Sequence, residues 1–174
     1  MKLYLVRHAD ALPVGGKIGR DAERPLSRTG LQEAALAGQA LALLEPGLDA
    51  VLVSPLLRAR QTGERLSSAR PAPIRLEVSP LLEPGFHPEA VLDELFLRWK
   101  DAAVALVGHQ PDLGNLLSYI VSGDLTVDAA FRPGTIACAG ISGTPQNFGG
   151  RLEWLVSPEL LHLLMQPNNG GDIP

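Results

Sequence analysis

Three stretches decide how this chain folds: LYLVRHAD (residues 3–10), AVLVSPLLR (residues 50–58) and AVALVGHQP (residues 103–111). Each opens on four or five apolar residues, too few for a helix and lacking the alternation of a half-exposed strand. Such runs fit strands covered on both faces, as in a largely parallel sheet. Helical patterns lie between them. TGLQEAALAGQALALL, from about Thr29 to Leu44, is rich in alanine and leucine and stops at Glu45-Pro46-Gly47. A second helix is predicted to open at Ser54-Pro55, with serine as N-cap and proline in the first helical position, and to run to about Ser68. A third covers about Pro88 to Trp99, and a fourth runs from Pro111 to about Val121. The alternation of strands and helices makes the class α/β.

Later segments are less regular. IRLEV (74–78), TIACAGI (135–141) and RLEWLV (151–156) read as strands, the last two pairing as a hairpin across a loop from Ser142 to Gly150. The whole chain, 1–174, reads as one domain, with a polar, Gly-rich tail from about residue 167 that is expected to be flexible. At 174 residues, 45% hydrophobic and 20% charged, it is long enough to bury a single core. The formal charge of −4 supplies no general attraction to nucleic acid or to an anionic membrane surface, so any anion site is local. No run approaches the ~20 apolar residues of a membrane span, and the apolar start is too short for a signal peptide and is broken by Arg7. A cytoplasmic location is the expectation. The single cysteine, Cys138, lies in a predicted strand and reads as a small core hydrophobe.

Ligands of open α/β sheets bind beyond the carboxyl ends of the strands. The three strand ends offer Arg7 and His8, then Ser54 to Arg58, then His109. A histidine after one buried strand has an ordinary structural reading. Two such histidines, accompanied by Arg7 and by Arg58 in the first turn of a helix, point instead to one pocket. Arginine there opposes the helix dipole unless an anion is bound, and guanidinium forks match phosphoryl oxygens. An arginine to hold the phosphoryl group and a neutral imidazole to attack it would suit His8 as a nucleophile. Arg60, Arg65 and Arg70 read as solvated; Thr62 either buttresses Arg58 or packs.

These residues carry a resemblance. Arg7-His8-Ala9 stands where the histidine phosphatase superfamily (phosphoglycerate mutase-like) carries Arg-His-Gly; SPLLRARQT is similar to its Ser-x-x-x-Arg-x-x-x-Thr segment, and VGHQP to its second-histidine motif. RHADA and ERPLSRTG look most like the SixA-type phosphohistidine phosphatases. The resemblance runs from Met1 to about Leu117, and more loosely to about Val156. It implies a three-layer α/β/α sandwich with a mostly parallel central sheet. It also implies His8 as the phosphorylated nucleophile, Arg7, Arg58 and His109 as phosphoryl-binding groups, and neither metal nor cofactor. Ala9 in place of glycine is a departure, expected to put a methyl group beside the nucleophile where it could narrow the pocket.

Other residues stay open at this stage. Glu83, in SPLLEPGFHPE, stands where many superfamily members carry an acidic proton donor; it is either that acid or a solvated loop residue. Arg24 either fixes the loop after the first strand or contacts the ligand. His87 reads as a surface-loop residue that could touch substrate, Asp10 and Asp112 as capping or supporting groups, and His162 as structural. The leading function is hydrolysis of a phosphoryl group through phosphohistidine on His8, with a phosphohistidine protein as substrate. A small phosphate ester is the alternative. A phosphate-binding module without turnover would not need His8, His109 and Glu83 together, and a metal site on His8 and His109 lacks further ligands and is flanked by arginines. Only one helix fits between Glu83 and the strand near Ala102, so the site is expected to be open, as hydrolysis permits and a mutase would not.

Overall fold

The computed structural model describes residues 1–72 and 74–166; the expected flexible tail lies outside them. The strands are β1 (Lys2–Arg7), β2 (Ala50–Val53), β3 (Arg75–Val78), β4 (Ala103–Gly108), β5 (Ile136–Thr144) and β6 (Asn147–Val156). The helices are α1 (Arg28–Leu44), α2 (Leu57–Ser68), α3 (Pro88–Trp99), α4 (Asp112–Ser122) and α5 (Pro158–Met165). The sheet order is β3-β2-β4-β1-β5-β6. Pairing is parallel from β3 through β1 and antiparallel at β5 and β6.

The strand side chains alternate between two cores. Leu3, Leu5, Leu52, Val104 and Leu106 face α3 and α4, through Leu92, Leu95, Leu113 and Leu117. Tyr4, Val6, Val51, Val53, Ala105 and Val107 face α1, α2 and α5, through Ala37, Leu41, Ala59, Leu66 and Leu161. This is the expected three-layer sandwich, and the apolar runs are continuous because both faces are covered. Cys138 is buried in the second core. Among the described residues no helix is long and apolar enough to cross a membrane.

Four details differ from the sequence reading. Helix α2 starts at Leu57, three residues after the predicted cap, because Leu56 is extended (φ −67°, ψ 138°) and no side chain caps the helix. The β5–β6 hairpin turns between Thr144 and Asn147, so most of the expected 142–150 loop is paired strand. Helix α5 was not anticipated, although Ser157 caps it through the Leu160 amide and Pro158 opens it. Arg70 is half-buried rather than free in solvent: its guanidinium donates to the Leu41, Glu45 and Pro46 carbonyls, closing the C-terminal end of α1.

One contact ties the fold to the loop after β1. Ser27 accepts from the Gly30 amide as N-cap of α1, while its own hydroxyl and amide donate to Asp10. Helix and loop approach so closely that a Cβ on Gly30 would stand 1.9 Å from the Asp10 carbonyl oxygen. Backbone cannot yield there as a flexible side chain would. Gly30→Ala is therefore expected to cost about 1–3 kcal/mol or more of unfolding free energy in urea titration. Gly19→Ala, whose nearest neighbour is 4.0 Å from the added carbon, should change little.

Candidate active site

His8 follows β1 directly, and its amide donates to the Gly108 carbonyl at the end of β4. One hydrogen bond on each ring nitrogen fixes its tautomer. The Ala9 carbonyl, 2.8 Å from Nδ1, can only accept, so Nδ1 carries the proton. Nε2 therefore keeps its lone pair, which accepts from Arg58 Nε at 3.1 Å. Burial first, then the charges of Arg58 and Arg7, push the imidazole down to about 4, against the opposing pull of the Ala9 carbonyl. His8 is thus a neutral base with its lone pair turned towards a guanidinium.

His109 stands beside it, the two ring centroids 5.1 Å apart. Its Nε2 lies 2.8 Å from Ser54 Oγ, and its Nδ1 is buried with no hydrogen-bond partner among the described residues. Burial first, then His8 and Arg58, push it down to about 3. Arg7 donates from Nη1 to the Phe131 carbonyl at 2.6 Å, while its Nε, also buried, has no partner among the described residues. Arg58 is 5% exposed. Beyond His8, it donates to the Asp21 backbone carbonyl (2.8 Å) and carboxylate (3.0 Å). Two arginines and two neutral histidines thus converge where three strands end, and an anion with several oxygens would find donors on more than one side.

A profile of the histidine phosphatase superfamily (branch 1) matches residues 3–83. An uncharacterized protein of Picosynechococcus is 38% identical over 130 residues, 71% of this chain and 74% of the relative. The chain belongs to the histidine phosphatase superfamily. The phosphohistidine phosphatase SixA of Escherichia coli is 29% identical over 160 residues, covering 91% of this chain and 94% of that protein. The solved structure of the protein histidine phosphatase SixA complexed with tungstate superimposes with a TM-score of 0.75 at 29% identity, covering 91% of this chain and 97% of that one. The family fold is therefore the one seen here, and the chain is an enzyme of the phosphatase type.

Within this histidine phosphatase, Arg7, His8, Arg58 and His109 come together as the sequence suggested. Arg24 holds the loop after β1: its guanidinium donates to the Leu12 and Ala11 carbonyls and pairs with Asp21. Thr62 buttresses both the loop after β1 and Arg58, accepting from the Ala9 amide and donating to the Arg58 carbonyl. The Ala9 methyl does not narrow the pocket, because it packs with Leu26 and Ala34 in a small apolar cluster. Asp112 accepts from the Gly85 amide, hanging the 83–87 loop on the start of α4. Glu83 lies on that loop, exposed, and its carboxylate makes no hydrogen bond or ion pair among the described residues. His87 is exposed at the start of α3, and His162 is exposed on α5.

Two site residues were missed. Ser54 read as a helix cap but faces His109, and Asp21 pairs with Arg58 from 37 residues away, beyond any local pattern.

Both buried imidazoles should remain neutral in nitrogen-15 NMR at pH 5.5, where an ordinary histidine is mostly protonated. The unfolded chain binds these protons near 6.5 and the folded one only near 4 and 3. Unfolding free energy is therefore expected to fall as pH drops from about 6.5 towards 4. A stability profile flat across that window would contradict the burial of neutral histidines.

Proposed function

We propose that His8 Nε2 is the nucleophile of a phosphohistidine hydrolysis. In the first step the Nε2 lone pair attacks phosphorus, an Nε2–P bond forms, and the bond from phosphorus to the leaving atom breaks. The Nδ1 proton stays on Nδ1, donated to the Ala9 carbonyl throughout. In the second step water attacks phosphorus and the Nε2–P bond breaks, releasing inorganic phosphate and returning the neutral imidazole. Arg7 and Arg58 hold the phosphoryl oxygens and offset the charge developing on them. The observation that carries this reading is the fixed His8 tautomer, which directs the basic nitrogen at Arg58 rather than at the backbone. No metal or other cofactor enters the scheme.

The substrate we propose is a phosphohistidine on a protein. Between Glu83 and β4 the chain makes only α3 and short connections, so no long insertion shields the strand ends, and a bulky donor can approach. Similarity to the Escherichia coli protein named a phosphohistidine phosphatase supports the same class. A small phosphate ester is the second reading, supported by an exposed carboxyl group, Glu83, on a loop tied through Gly85 to Asp112 near His109; in its protonated form it would be the acid for a departing alkoxide.

Incubation with labelled phosphodonor and rapid quench into alkali, where phosphohistidine survives, should find the label on His8. His8→Ala should remove turnover while keeping the fold. Label elsewhere, or substantial turnover by the variant, would contradict the scheme.

Glu83→Gln separates the two substrate classes. If Glu83 is the acid, the variant should hydrolyse an alkyl phosphate about 10²- to 10⁴-fold more slowly, and an aryl phosphate or phosphohistidine with little loss, because those leaving groups depart without strong acid assistance. Equal losses on all three, or none, would remove the acid role.

A further inference from the structure

Ser54 is completely buried, and its hydroxyl oxygen contacts two groups: His109 Nε2 at 2.8 Å and the Leu56 amide, which donates to it at 3.4 Å. We infer that Ser54 is a positioning residue that sets the tautomer of His109, donating its hydroxyl proton to Nε2 so that Nδ1–H is the group offered to a phosphoryl oxygen. This rests on the phosphatase reading above and adds a residue to it.

Counting hydrogen-bond capacity decides between the two tautomers. Suppose His109 carried its proton on Nε2 and donated to Ser54. The serine oxygen would then accept from both neighbours, its own proton would find no acceptor among the described residues, and the Nδ1 lone pair would also stay unpaired. Two buried polar groups would be orphaned. With the proton on Nδ1, the serine hydroxyl donates to Nε2 and accepts from Leu56, and one group, Nδ1–H, is left over. Buried polar groups are rarely left unpaired, so the arrangement with one orphan is favoured. That orphan is a donor.

The distinction matters because the two tautomers present opposite faces to an anion. Nδ1–H donates to a phosphoryl oxygen and strengthens as charge builds there. A bare Nδ1 lone pair would repel it. Protonating the ring would also make Nδ1 a donor, but burial together with His8 and Arg58 opposes a charged imidazole. A neutral partner with a directed hydroxyl is the remaining way to guarantee a donor. The serine at the end of β2 thus acts through His109 rather than on the substrate.

Long-range nitrogen-15 correlation spectra of histidine-labelled protein test this directly, with the His109 signals assigned by their loss in His109→Asn. Nδ1 of wild type should show the shift of a protonated, pyrrole-type nitrogen and Nε2 that of a pyridine-type one; a protonated Nε2 would overturn the inference. Ser54→Ala should move His109 towards the Nε2–H form and weaken tungstate binding about tenfold or more, the scale of one hydrogen bond to a charged group. Ser54→Thr, which keeps the hydroxyl, should restore both. Retention of the Nδ1–H form and of tungstate affinity in Ser54→Ala would also overturn it. The wild-type spectrum needs no variant of Ser54 to fold. It reads the tautomer whether or not any phosphate is turned over: a wrong tautomer in an active enzyme sinks this inference alone, and failure to label His8 sinks the phosphatase reading alone.

Discussion

Everything at the site depends on the register of three parallel strands. Arg7 lies opposite Gly108, and Val53 opposite Val107, so His8 and His109 leave the sheet at one level, with Ser54 one residue below them. The His8 amide continues the ladder to the Gly108 carbonyl, and the Ser54 amide continues it to the Val107 carbonyl. A slip of one residue would exchange the two faces of a strand, turning Tyr4 and Val6 into the layer built for Leu3 and Leu5. The packing that holds the register is therefore the same packing that brings the imidazoles together. Conserving the site requires no separate scaffold.

On that platform, charge is balanced locally. Arg58 sits at the second residue of α2, where the exposed amides of a helix start already favour an anion. Its three nitrogens are engaged by His8 Nε2 and by the carbonyl and carboxylate of Asp21. Asp21, held low by its bonds to Arg24 and then Arg58, supplies the counter-charge that the position demands. A phosphoryl group offers the same kind of oxygen. In the proposed scheme that group takes over the guanidinium, because the Nε2 lone pair that would attack phosphorus is the one that accepts from Arg58 Nε. Arg24 links this exchange to the loop after β1 through the Leu12 and Ala11 carbonyls.

The strands and the four residues Arg7, His8, Arg58 and His109 were legible because each lies within a few residues of an uninterrupted apolar run, and short-range pattern records such positions well. The remaining features depend on contacts that no local pattern carries. Ser54-Pro55 has the composition of a cap, but the chain stays extended through Leu56 and the hydroxyl goes to a histidine 55 residues away. Gly149 and Gly150 read as loop, yet they pair in β6, where a Cβ on Gly150 would stand 2.4 Å from the Ile120 carbonyl oxygen of α4. That glycine marks a close approach of helix to strand rather than a turn. The Ala9 methyl was expected in the pocket because Ala9 adjoins His8; its direction is set by Leu26 and Ala34.

The central claim is that a phosphoryl group binds by displacing the Arg58 bond from His8 Nε2. A crystal structure of this protein with bound tungstate tests it most directly. The account predicts the anion facing His8 Nε2, with Arg7 and Arg58 donating to its oxygens and the Arg58–His8 bond broken. Tungstate bound elsewhere, with Arg58 still on Nε2 and Asp21, would contradict it.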